Sequence, residues 1–105
     1  MKISVLGHDW EILAVSDKVF DFHNNTEECN IGGMTKFSDK KIYLRKDHVD
    51  KLYIGHELTH AFYYYLCLDQ LELTQKQNEE VLCDFVGLHG ETIVNLTMKI
   101  LKELT

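Results

Sequence analysis

The stretch Asp47 to Leu68, DHVDKLYIGHELTHAFYYYLCL, decides how this chain is read. It holds no Pro and a single Gly, Gly55, and Asp47 is of the type that caps a helix N-terminus. The pattern predicts one helix running to about Leu68. From Leu52 onward apolar side chains fall on nearly every side, so that helix is expected to be buried all round. Inside it lies His56-Glu57-Leu58-Thr59-His60. Helical positions four apart differ by only about 40°, so the two imidazoles point the same way, one turn apart. Placed so, they can converge on one ion at ~2.0–2.1 Å each. Glu57 lies about 100° round from His56, where it flanks the ion and can take a proton from a metal-activated water. A plainer account is two core histidines that happen to fall four apart. The stripe they share with Val49, Leu52, Tyr53, Tyr63 and Cys67 has a core-like composition. Against that account, two neutral imidazoles and a carboxylate in an apolar helix need polar partners, and a metal supplies them.

Downstream, Thr74-Gln75-Lys76-Gln77 has the form of a capping box and announces a second helix carrying Val81, Leu82, Phe85 and Val86. Gly87 and Gly90 predict a break before a third helix, Glu91 to Leu104. There Ile93, Val94, Thr97, Ile100, Leu101 and Leu104 form one apolar stripe. On the second helix Glu80 and Asp84 are four apart and share a face. A carboxylate at 80 can bind the metal while Asp84 accepts the second N–H of a ligand histidine, fixing its tautomer. The bland alternative makes Glu79, Glu80 and Asp84 the wet face of an amphipathic helix. Their place, with Glu80 twenty residues after His60, favours ligation. Cys83, about 100° off the Asp84 face, is a further candidate ligand.

Upstream, Lys2–Leu6 and Trp10–Val15 read as two strands joined at Gly7-His8-Asp9, a hairpin. Asn24-Asn25, Gly32-Gly33 and Ser38-Asp39 are turn signals, and Lys41–Arg45 is a further strand. The expected fold class is α+β: a small N-terminal β-sheet followed by helices. At 105 residues the chain is expected to be one domain, 1–105. A net charge of −6 without a basic patch argues against nucleic-acid and anionic-membrane partners. Cys29, Cys67 and Cys83 fit neither a disulfide framework nor a metal knuckle, and read as small apolar residues in a reducing compartment. Met1–Trp10 lacks a signal-peptide core, and the apolar run Ala61–Leu68 is too short to span a bilayer. A cytoplasmic location is expected.

His56-Glu57-Leu58-Thr59-His60 followed by Glu80-Val81-Leu82-Cys83-Asp84 resembles the gluzincin metallopeptidases, with their His-Glu-x-x-His helix and the Glu-x-x-x-Asp of a following glutamate helix. The size and the preceding strand resemble the single-domain minigluzincins and phage peptidases of the ImmA/IrrE type. The likeness covers about residues 36–90. It implies a zincin-like order of active-site helix, glutamate helix and C-terminal helix, one zinc ion, and hydrolysis of a peptide or protein substrate. His56, His60 and Glu80 are then the ligands, Glu57 the general base, and Asp84 the group behind a ligand. It also implies that Lys41–Arg45 is the edge strand on which an extended peptide would lie. Larger gluzincins carry a later His or Tyr that stabilises the oxyanion; Tyr63, Tyr64 and His89 are the candidates here. Two other functions stay open: a zinc-binding regulatory or interaction domain without turnover, and a latent peptidase whose segment Lys99–Thr105 lies across its own cleft.

Overall fold

A computed structural model describes residues 1–23 and 32–105. The expected turn at Asn24-Asn25, and Cys29, lie outside the described residues. The chain runs β1 (Lys2–Val5), β2 (His8–Val15), α1 (Asp17–His23), β3 (Gly33–Lys36), β4 (Lys41–Arg45), α2 (Lys51–Tyr65) and α3 (Gln75–Leu104). It is α+β, with four strands in the order β1-β2-β4-β3. The β1–β2 hairpin forms, but it turns at Leu6 and Gly7 and not at Gly7-His8-Asp9: both are at positive φ (49° and 83°), the backbone a two-residue hairpin turn demands, and His8 and Asp9 pair within β2.

β4 pairs parallel to β2 and antiparallel to β3, so Lys41–Arg45 is a central strand and not the expected edge. Its consecutive Ile42, Tyr43 and Leu44 are all buried, as a strand covered on both faces requires. The pleat sends Ile42 and Leu44 into the main core with Trp10, Ile12, Ile54, Leu58 and Phe62. Arg45 turns the other way, towards α1. Its guanidinium bonds Asp17 at 3.0 Å and Asp21 at 2.8 Å and lies 4.1 Å from the Phe20 ring centroid. The Asp21 bond, ahead of the other causes, holds Arg45 more firmly protonated than usual.

α2 begins later than expected. Its cap is Asp50, whose carboxylate accepts from the Tyr53 N–H at 3.0 Å, while Lys46–His48 form a separate single turn. The helix lies on the sheet with Ile54, Glu57, Leu58, Ala61 and Phe62 buried, but it is not buried all round: Leu52 is 71% exposed, and His56, His60 and Cys67 are exposed. The sheet covers one flank and α3 a second, leaving the third to solvent. The capping box at Thr74 and Gln77 forms in both directions. The expected break at Gly87 and Gly90 does not occur, and the glutamate and C-terminal helices are one helix of 30 residues. Phe85, His89, Ile93, Thr97 and Ile100 recur on one face across both glycines, and packing of that face outweighs the ~1 kcal/mol that each interior glycine costs. Among the described residues no helix is long and apolar enough to cross a membrane.

Candidate metal centre

α2 presents His56 and His60 on its solvent flank and Glu57 on its sheet flank. The two Nε2 atoms are 3.2 Å apart, with the rings inclined at 78°. One ligand atom from each of His56, Glu57 and His60 lies within 4.8 Å of the others, a group able to hold a metal ion. The fit is quantitative for the imidazoles. Two nitrogens at this separation, each ~2.0–2.1 Å from one ion, subtend about 100° at it, close to the tetrahedral angle of zinc sites. Without an ion, the same distance is bridged when one ring N–H donates to the other's lone pair.

Glu57 is 1% exposed. Its Oε1 accepts from the Thr35 hydroxyl at 3.3 Å, and the same hydroxyl lies 3.2 Å from the Glu57 backbone carbonyl oxygen. Space for this side chain comes from β3. A Cβ on Gly33 would stand 2.8 Å from Glu57 Cγ. Gly33 and Thr35 sit opposite Leu44 and Ile42, so the alternation of the strand turns both towards α2. Neither was singled out as a site residue from the sequence. The only signal there, Gly32-Gly33, reads as a turn, whereas Gly33 opens a strand.

Glu80 and Asp84 are not brought to the histidines. Both are exposed near the start of α3, and Glu80 is outside the metal-ligand group. The reason is how the two helices align. Tyr63 meets Phe85 with ring centroids 5.0 Å apart, Phe62 meets His89 at 5.6 Å, and Gly55 faces Thr97. The helices are therefore antiparallel, and the level of His56 and His60 belongs to Ile93 and Thr97. Glu80, thirteen residues before Ile93, stands roughly 20 Å away along an unbroken helix. Cys83 is also exposed, with a free thiol.

A groove of about 680 Å³ runs between α2 and α3. His56, His60, Thr59, Lys51 and Tyr63 line it from α2, with Ile93, Val94, Thr97 and Met98 opposite. Of the three oxyanion candidates only Tyr63 lines this groove. Tyr64 stacks on Phe37 at 4.7 Å, and His89 packs against Phe62 and Phe85. The site thus combines two convergent imidazoles, a buried carboxylate beside them and a largely apolar trough. No protein-family model, curated protein or solved structure matches this chain.

Proposed function

We propose that this chain is a zinc-dependent peptidase in which His56 and His60 hold the metal and Glu57 is the general base. The observation that carries the reading is the 3.2 Å approach of the two Nε2 atoms with the Glu57 carboxylate held beside them. When bound, zinc supplies Lewis acidity to a carbonyl and lowers the pKa of a water. Glu57 would then take the proton of the attacking water and return it to the leaving amine nitrogen. Tyr63 would donate to the developing oxyanion. β3, an edge strand among the described residues, offers main-chain groups for an extended peptide, the role that the resemblance to gluzincins implies for Lys41–Arg45.

Glu80 is the carboxylate proposed as third ligand, and its distance favours a second reading: a resting form, in which the ligand is withheld. The residues opposite the histidines come from the middle of α3, Ile93 to Met98, and not from Lys99–Thr105. In this form only the two imidazoles would hold the metal, and α3 would have to yield at Gly87 or Gly90 before Glu80 could approach.

The deciding experiment compares the parent with Glu57→Gln, by zinc content and by cleavage of a fluorogenic peptide library. The expected result is equal zinc in both proteins and turnover only in the parent, since loss of a general base slows reactions ~10²–10⁴-fold. A parent inert with zinc fully bound would instead make the chain a metal-binding regulatory domain. Loss of zinc from Glu57→Gln would make Glu57 a ligand and remove the base.

A further inference from the structure

We propose that Thr35 is a positioning residue for Glu57, a single hydroxyl on β3 that clamps the carboxylate against the backbone of α2. The inference rests on the peptidase reading for its purpose, and on geometry for its substance. Thr35 Oγ1 lies 3.3 Å from Glu57 Oε1 and 3.2 Å from the carbonyl oxygen of the same residue. One side chain therefore touches both ends of the glutamate, its root in the helix and its reactive tip. A glutamate has three rotatable bonds, and exposed to water it samples many rotamers. Here Gly33 leaves the volume in which Cγ sits, and Thr35 fixes where the chain ends.

The Thr35 O–H reaches both acceptors, Oε1 and the backbone carbonyl oxygen, from one point on β3, so the carboxylate is tied to a fixed place beside its own helix. Thr35 itself is half-buried. It acts through Glu57.

Thr35→Val and Thr35→Ser test the assignment, with two readouts. In the metal-free protein, the nuclear Overhauser contact between the Glu57 γ-methylene and the Gly33 Hα reports whether the side chain stays under β3. In the zinc-loaded protein, kcat and KM on the best library peptide report catalysis. Thr35→Val is expected to lose the contact and to lower kcat ~10-fold, the scale on which outer hydrogen-bond partners act, with KM and zinc affinity held. Thr35→Ser is expected to restore both. The proposal is overturned if Thr35→Val keeps the contact, or if Thr35→Ser behaves like Thr35→Val. If the parent cleaves nothing while Val loses the contact and Ser keeps it, the clamp stands and the peptidase reading falls.

Discussion

Gly33 has no room for a side chain. A methyl there would meet Glu57 Cγ at 2.8 Å and Leu44 Cδ2 at 3.3 Å, and Leu44 is locked in the core. Gly33→Ala therefore moves Glu57 while leaving in place the exposed histidines on the solvent flank of α2, which do not contact Gly33. Expected is zinc affinity within a few-fold of the parent and at least ~10-fold less turnover, since an ångström of misplacement can cost 10² in rate. Titration calorimetry and peptide cleavage on one preparation check it. His60→Ala should do the reverse: it leaves a single imidazole, and zinc per chain by elemental analysis should fall close to zero. Unchanged zinc in that variant would move the site elsewhere. The histidine pair was legible because helical spacing is local: two residues four apart converge whatever surrounds them. Gly33 and Thr35 were not legible. They meet Glu57 across 24 and 22 positions, through a strand register that single-sequence patterning does not specify.

The same contrast holds for elements. The hairpin, the strand at Lys41–Arg45 and the capping box at Thr74 each follow from a few adjacent residues, and each is present. Which strand is at the edge, which flank of α2 is wet, and whether two glycines stop a helix depend instead on neighbours distant in the chain. At Gly87 a Cβ would meet nothing within 4 Å, and at Gly90 only Val86 Cγ1 at an ordinary 3.5 Å. Packing thus gives no reason for either glycine. Gly87→Ala and Gly90→Ala should each stabilise the fold by about 0.5–1 kcal/mol, since alanine loses less backbone freedom on entering a helix. For a domain of this size that raises Tm by several degrees, readable by calorimetry. The double variant also tests the resting form. If α3 must bend for Glu80 to reach the metal, alanines at both positions weaken zinc binding, and Glu80→Ala then changes nothing further. Were the double variant to bind zinc as tightly as the parent, α3 would have no second conformation to offer.

Taken whole, the molecule is shaped by a mismatch of lengths. α3 has 30 residues and α2 has 15, about 45 Å against about 22 Å at 1.5 Å per residue. The surplus lies at the N-terminal end of α3, where Leu82 and Val86 continue the buried stripe of Phe85 and Ile93 yet are 52% and 57% exposed. The other end is anchored. Ile100 is fully buried in the main core, with Leu101 and Leu104 packed against it. This anchoring argues against a detachable tail at the end of α3. A tail lying across a cleft could be removed without harm, and removal would release activity. Within residues 99–105, Ile100 is part of the core and Leu101 and Leu104 pack against it, so deleting them takes out a buried isoleucine and the last turn of the helix. Truncation after Met98 is therefore expected to destabilise the fold by at least ~2–5 kcal/mol, the scale of large-to-small changes at buried aliphatic positions. Urea unfolding followed by circular dichroism measures this, and the midpoint should fall accordingly, with no gain of peptide cleavage. A truncated chain that unfolds at the parent's midpoint and cleaves peptides faster would restore the tail as the blocking segment. It would also place the switch at the end of α3 and not at its glycines.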